Sequence, residues 1–254
     1  MFAKLKEHQF LFSELVKRDF KKKYKRTYLG MVWSVLSPLL TLLVMKVVFT
    51  AFFGKEIEHY TTYLFCGNIV FSFFSDASSG GMQSLMSNAS IFTKINVPKY
   101  LFLFSRNLSS LINFGLTLIV FFVFCIFDGV AITPLFLALI IPIILLVIFN
   151  LGVGLILSAL FVFFRDIQYL WSVFTMLLMY MSAIFYDVSR FESFKNLFYL
   201  NPVFVYISYF RSIVLDGVFP SLEVNALAIG YALIAFGVGA LIYKKCNHKF
   251  LYYV

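Results

Sequence analysis

Charged side chains are scarce in this chain. Only 13% of its 254 residues are Asp, Glu, Lys or Arg, about half the share typical of soluble domains. Hydrophobic residues make up 61%, and the mean hydropathy is +0.91. A soluble fold of this size cannot bury that much apolar surface. The composition therefore excludes a soluble enzyme, a disordered chain and a disulfide scaffold, and it indicates a multi-span membrane protein.

Cysteines and catalytic motifs are equally sparse. The three cysteines are odd in number and far apart, so they predict neither a metal site nor a disulfide framework. The Gly54-Lys55 pair lacks the earlier glycine of a phosphate-binding loop, and Gly152-x-Gly154 lies in an apolar run as a packing feature. HExxH and GxSxG motifs do not occur. We therefore expect no enzyme activity, cofactor or metal in this chain, and any energy for uphill transport must come from another protein.

Six apolar runs have the length of about 20 residues that a helix needs to cross the hydrocarbon core. The predicted spans are residues 31–53, 62–85, 101–127, 134–163, 167–186 and 222–243. Basic residues concentrate on the cytoplasmic side of membrane proteins. Of the 21 Lys and Arg, 16 fall in the segments that a cytoplasmic N-terminus leaves inside, namely 1–30, 86–106, 164–166 and 244–254. Both termini are therefore expected inside, and the net charge of +9 does not indicate a nucleic-acid partner.

Residues 187–221 separate the last two spans and are predicted to form re-entrant or interfacial helices on the outer side. Asn201 supplies a helix N-cap, Pro202 occupies the first helical position, and Gly217 ends the helix. At ~1.5 Å per residue, the helix 202–215 is roughly 21 Å long, which is too short for a hydrocarbon core of ~30 Å.

The segment 8–26 is predicted to be a basic amphipathic helix. Its basic cluster consists of Lys21, Lys22, Lys23, Lys25 and Arg26. Such a helix lies in the cytoplasmic interface, held by apolar burial and by attraction to anionic lipid. It serves either as a membrane anchor alone or also as a brace for a cytosolic partner.

Two charged residues, Lys46 and Asp76, fall inside predicted spans. Because a charge is costly to bury in a membrane, each is a candidate functional residue. Their depths differ by ~11 Å, so we do not expect a direct ion pair. Ala77 and Gly81 have the small-xxx-small spacing that favours close helix packing. The inner half of the second span is therefore expected to pack against other helices, with a substrate site in an aqueous cavity as the alternative.

Three stretches resemble one family of membrane proteins. They are VKRDFKKKYKRTYLGMVWSVLSPLLTLLV at 16–44, NASIFTKINVPKYLFLFSRNLSSLINF at 88–114, and FRDIQYLWSVFTMLLMYMSAIFYDVSRF at 164–191 followed by NPVFVYISYFRSIVLDG. In order and spacing they resemble the membrane (permease) subunits of type-2 ABC transporters that export polysaccharide, the O-antigen and teichoic acid exporters. The resemblance covers nearly the whole chain and is more specific for the family than for the polymer.

The resemblance implies a homodimer of this chain that forms a channel in the bacterial cytoplasmic membrane. Two copies of a cytosolic ABC ATPase would bind it and hold the ATP and Mg, and the implied substrate is a polysaccharide on an undecaprenyl diphosphate anchor. ATPase coupling is implied for the loop after the second span, at Ile91, Phe92, Thr93, Lys94, Pro98 and Lys99. The turn Arg165-Asp166 is a further candidate contact with a partner or a lipid diphosphate, and a mutual salt bridge is its alternative. The basic cluster of the N-terminal helix is another candidate for the diphosphate.

Aromatic side chains near the outer ends of the spans are candidates for lining the channel. Apolar rings stack on the C–H faces of sugars, and Tyr hydroxyls offer hydrogen bonds; packing against lipid and neighbouring helices is the alternative. The candidates are Phe49, Phe52, Phe53, Tyr180, Phe185 and Tyr186, joined by Ser208 and Arg211 of a polar stripe on the outer helix.

The expected architecture is an all-α integral membrane protein with one transmembrane domain, 1–254. It divides into an interface helix (1–29), spans one to five (30–186), outer helices (187–221), and span six with the cytoplasmic tail (222–254). Two other functions stay open. A stand-alone carrier or channel for another lipid-linked or amphipathic substrate is weakened by the scarcity of intramembrane charge. A membrane enzyme acting on polyprenyl-linked sugars needs a carboxylate or metal cluster that the sequence does not suggest.

Overall fold

The computed structural model describes residues 8–24, 30–53, 57–188 and 195–253, and within those ranges the regular structure is entirely helical. The α-helices are α1 (Gln9–Tyr24), α2 (Trp33–Phe53), α3 (Tyr60–Gln83), α4 (Ala89–Phe92), α5 (Tyr100–Phe127), α6 (Ile140–Phe163), α7 (Ile167–Met181), α8 (Lys195–Phe198), α9 (Pro202–Val214) and α10 (Leu222–Cys246). Short 3₁₀ helices occupy Gly30–Val32, Met86–Asn88, Pro134–Leu139 and Lys249–Tyr252. The expected all-α fold is confirmed.

Among the described residues, three helices are long and apolar enough to cross a membrane. They are Tyr100–Phe127, Pro134–Phe163 and Leu222–Cys246. Shorter apolar helices cover Trp33–Phe49, Ile167–Met181 and Pro202–Val214. This is the character of a multi-pass membrane protein, while the count of six spans stays a prediction.

Close backbone contacts hold the centre of the bundle together. Helix α6 packs most extensively against α10, and α3 lies against both α5 and α6. A Cβ added at Gly152 of α6 would overlap the backbone of Ala235 and Phe236 in α10. A Cβ added at Gly81 of α3 would lie 3.2 Å from the Cα of Gly154. The prediction that these glycines are packing features is confirmed, because a side chain would force the helices apart.

Two clusters of buried apolar side chains lie towards opposite ends of the bundle. Along α6, the first cluster includes Leu146 and Phe149, and the second begins at Leu155. Helix α10 is divided in the same way, since Ala228 belongs to the first cluster and Tyr243 to the second. A long helix that contributes to both clusters therefore runs from one end of the bundle to the other.

The two clusters collect different connecting segments. The first contains most of α9 and part of the α5–α6 connection, including Val130. The second contains Leu15 of α1, Phe92 of the α3–α5 loop and Phe250 of the C-terminal tail. Segments predicted to lie outside and inside the cell thus gather at different ends of the bundle.

The fifth predicted span, 167–186, differs from the structure. Helix α7 ends at Met181, and Ala183 adopts a left-handed backbone conformation with φ of 49°. The chain turns there because its carbonyls are bound by Arg211, which arrives from α9. By contrast, the signals around α9 are confirmed: the Asn201 side chain accepts a hydrogen bond from the Val203 amide at 3.0 Å.

Candidate functional site

The predicted coupling loop projects four residues from the second cluster. We call these exposed residues, Thr93, Lys94, Ile95 and Asn96, the loop tip. Buried side chains flank the tip on both sides, with Phe92 5% exposed and Val97 also buried. The tip therefore protrudes from two fixed points, and backbone N–H groups of Lys94 and Ile95 add hydrogen bonds to the Ile91 carbonyl.

Phe92 itself points inward. Its ring lies 6.0 Å from that of Phe102 in α5, among side chains of the second cluster. In this position it supports the loop and does not present its ring to a partner. The exposed apolar side chain of the loop tip is Ile95, 55% exposed, which the sequence interpretation did not select. The signal for Ile95 in the sequence is its position as an apolar residue between the polar Lys94 and Asn96.

A polar contact ties α1 to the base of this loop. The Arg18 guanidinium donates hydrogen bonds to the Asn88 side-chain oxygen at 2.7 Å and to the Asp19 carboxylate at 2.7 Å. The buried Asn88 amide in turn donates to the Ser84 carbonyl at 2.7 Å. This chain of hydrogen bonds runs from α1 through Asn88 to Ser84, which caps the end of α3, and it links α1 to the base of the loop.

The remaining candidate residues near the loop differ in their exposure. Ile91 and Pro98 are half-buried. Lys99 donates to the Asn247 carbonyl at 3.0 Å, and burial lowers the pKa of its amine. Arg165 and Asp166 are both exposed in the turn between α6 and α7, directly after a part of α6 that belongs to the second cluster. The structure thus brings this turn and the loop to the same end of the bundle.

The basic cluster of α1 is described only in part. Lys21 is exposed on α1. Lys22 and Lys23 belong to the same helix, but their side chains, like the whole of Lys25 and Arg26, lie outside the described residues.

Arg211 is buried, at 8% exposure, although it is a charged member of the predicted channel residues. Its guanidinium donates to the carbonyls of Ala183 (2.9 Å), Ile184 (3.1 Å) and Tyr63 (3.2 Å). The guanidinium carbon also lies 3.4 Å from the centre of the Tyr63 ring, a cation–π contact. A Cβ at Gly67 would come within 3.0 Å of the guanidinium, so this glycine leaves space for it.

A cavity of about 490 Å³ opens beside Arg211; we call it the outer cavity after the predicted orientation of this end of the bundle. Ser208 of the predicted polar stripe lines it, together with His59, Asp187 and Asp216. Burial raises the pKa of the Asp216 carboxyl above its ordinary value. The cavity is therefore polar and mixed in charge, while the donors of Arg211 are largely committed to carbonyls.

The predicted channel rings come together only in part. Phe49 of α2 stacks on Phe185 with ring centres 4.4 Å apart, and Tyr180 lies 6.1 Å from Phe185. The Tyr186 hydroxyl donates to the Tyr180 carbonyl at 2.8 Å. Phe185 is buried, whereas Tyr180 is exposed.

Two further candidate rings, Phe52 and Phe53, belong to the last turn of α2. Their side chains lie outside what the structure describes, and their role in a channel stays a prediction.

Helix α3 has two different faces at the depth of Asp76. Asp76 pairs with Arg106 of α5 at 3.4 Å, a partner that the sequence interpretation assigned to the cytosolic loop. The same face borders a cavity of about 460 Å³ that is also lined by Asn68 and Asn113. The expected close packing is present on this helix as well, because Gly81 makes a close contact with α6. Packing and a polar cavity therefore coexist on this helix.

Within the described ranges, no group of three or more His, Cys, Asp or Glu side chains is arranged to hold a metal ion.

The sequence profile of a family described as "ABC-2 type transporter" matches residues 11–215. An "O-antigen export system permease protein RfbA" of Klebsiella pneumoniae is 30% identical over 250 residues, covering 95% of each chain. A protein of the same name from Myxococcus xanthus is 25% identical over 251 residues, covering 97% of this chain and 96% of that protein. The matched region includes the loop tip and Arg211.

Proposed function

This chain belongs to the ABC-2 type transporter family, and from that membership we propose that it is the channel-forming transmembrane subunit of an ATP-driven polysaccharide exporter. The relatives that match it over 95% or more of its length are O-antigen export permeases by name. The substrate in this proposal is an O-antigen-like or teichoic acid-like polymer on undecaprenyl diphosphate. It would leave from the cytoplasmic side of the bacterial cytoplasmic membrane.

Six membrane crossings with both ends in the cytoplasm are part of this proposal. The division of the connecting segments between two clusters at opposite ends of the bundle supports it. The basic residues support the orientation, because most of them fall in segments that meet at the second cluster. In this orientation the loop tip faces the cytosol.

The loop tip is the surface that we propose docks a separate ABC ATPase, two copies of which would supply ATP and Mg. The observation that carries this assignment is an exposed Ile95 held between two buried anchors, Phe92 and Val97. In this proposal the Ile95 side chain enters a pocket of the ATPase and is desolvated there, as hot-spot residues are at the centre of an interface. The Arg18–Asn88 contact would stiffen the base of the loop, so that movement of the ATPase is passed to the helices.

A homodimer is also part of the proposal. Helix α7 buries only Thr175 and Leu178 among its described side chains, and it exposes many apolar ones, including Val173, Met176 and Tyr180. Lipid or a second copy can cover such a surface, and a second copy would place two Tyr180 rings around a common passage. The diphosphate of the substrate would meet the basic cluster of α1 that includes Lys21.

Substitution of Ile95 by Asp tests the docking surface. Loss of a hot-spot side chain costs at least ~2 kcal/mol of binding free energy, so loss of Ile95 should reduce binding of the ATPase by at least about thirtyfold. The measurement is co-purification of the cognate ATPase with the tagged full-length chain, followed by a titration of the two proteins. Export of the polymer in cells should fall in parallel.

The matched control is Leu251→Asp, because Leu251 is also exposed, in the C-terminal tail near the same end of the bundle. This control should retain ATPase binding. Equal retention by Ile95→Asp would contradict the assignment of the tip. A wild-type chain that never associates with an ATPase, or that exports polymer without one, would contradict the proposed function itself.

A further inference from the structure

A cavity of about 790 Å³ lies where the loop tip, α5 and α10 meet. Its apolar wall includes Phe104 of α5, Leu155 of α6 and Phe236 of α10. Its polar wall comes from the loop, the first residue of α5 and the C-terminal end of α10, and it includes Lys99, Tyr100, Tyr243 and Lys244. The volume falls within the range of about 300–1,000 Å³ that is usual for ligand sites, and the division into two walls suits an amphiphile.

Two of the residues that line this cavity, Tyr100 and Tyr243, have hydroxyls with no hydrogen-bond partner among the described residues. Both hydroxyl oxygen atoms are buried. Tyr243 is only 6% exposed. A buried hydroxyl without a hydrogen bond costs about 1–3 kcal/mol, so two of them lining one cavity point to a ligand with acceptor oxygens.

The charges in the cavity lining are cationic or neutral. Lys99 and Lys244 line it together with His8, and no described Asp or Glu does. Lys99 uses one N–H for the Asn247 carbonyl, which leaves two donors. Burial lowers the pKa of the Lys99 amine, and an anion beside it would oppose that shift.

We infer that this cavity binds the phosphate headgroup of an anionic lipid, with Lys99, Lys244 and the two tyrosine hydroxyls on the phosphate oxygens. The lipid chain would lie along the apolar wall towards Leu241, which α10 exposes beside the cavity. Basic pockets between helices at a cytoplasmic interface bind anionic headgroups in this way. The inference goes beyond the proposed function and rests on it only for the placement of this end of the bundle at the membrane surface.

The test is a lipid titration of the full-length chain by native mass spectrometry. The probe is phosphatidylglycerol, with zwitterionic phosphatidylcholine as the neutral comparison. The wild-type chain should bind phosphatidylglycerol at least about fivefold more tightly, because each lysine near an anionic lipid contributes about that factor. Lys244→Gln and Tyr243→Phe should each weaken binding about fivefold.

The matched control is Lys245→Gln, since Lys245 is the exposed neighbour of Lys244 and does not line the cavity. Its affinity should stay within about twofold of wild type. Tyr243→Phe keeps the ring contact with Phe250, and the exposed Lys244 can be replaced without disturbing the interior. A purely structural Tyr243 hydroxyl would leave lipid binding unchanged in the Phe variant.

The two sources of a phosphate headgroup are separated by competition. Farnesyl diphosphate that displaces phosphatidylglycerol from the wild-type chain would identify a prenyl diphosphate as the occupant, and failure to displace would identify a membrane phospholipid. Equal binding of the two phospholipids, or equal losses in Lys244→Gln and Lys245→Gln, would overturn the inference. Because no ATPase is present in this titration, the result does not depend on the docking of the loop tip.

Discussion

Replacing Arg211 by Met tests whether this residue holds the outer region together. The substitution removes three hydrogen bonds from a charged donor, each worth ~1.5–3 kcal/mol, and a cation–π contact. It also relieves the cost of burying a cation, which offsets several kcal/mol. The expected net loss is ~3 kcal/mol, or ~6–12 °C in apparent Tm for a chain of this size.

The assay is thermal unfolding of the purified chain in detergent, read from the fraction that stays monodisperse after heating. Arg211→Lys should recover little of the loss, because an ammonium cannot span carbonyls that a planar guanidinium reaches together. Ser208→Ala, in the same outer cavity, is the matched control and should shift Tm by less than ~2 °C. An unchanged Tm in Arg211→Met together with lost export would refute the structural role and restore the predicted substrate contact.

Two further substitutions test the packing of the bundle and the loop. Gly152→Ala should lower the apparent Tm by ~5 °C or more, because the added Cβ meets the backbone of α10. Gly237→Ala is the control and should leave the Tm unchanged, because a Cβ at Gly237 meets nothing within 4 Å. Equal shifts in the two variants would contradict the close α6–α10 contact. Phe92→Ala should destabilise the chain by ~3–5 kcal/mol through loss of a buried ring and so reduce the folded yield. Normal stability with selective loss of ATPase binding would instead show that Phe92 meets the partner directly.

Most helices could be predicted because their signals are local. Long apolar runs bounded by polar residues specify α5, α6 and α10, and the cap at Asn201 followed by Pro202 specifies the start of α9. The end of α7 could not be predicted in the same way. The residue that stabilises the turn after α7 is Arg211, 28 positions beyond Ala183, and no local pattern reveals that contact.

The candidate site also contains contacts that no local sequence pattern predicts. Counting Lys and Arg by segment assigns Arg106 to a cytosolic loop, although the structure places it in the second turn of α5, paired with Asp76. Similarly, the loop sequence does not say which apolar side chain turns inward. Phe92 is buried because α1 and α5 supply the surface it packs on, and Ile95 is exposed because it lies between two such anchors.

We propose that this chain exports polymer only together with a separate ATPase. The most direct measurement reconstitutes the full-length chain in proteoliposomes with a lipid-linked polysaccharide and follows the polymer that becomes accessible on the far side of the membrane. Transfer should require this chain, its cognate ATPase and ATP together. Transfer by the chain alone, or none with all components present, would contradict the account.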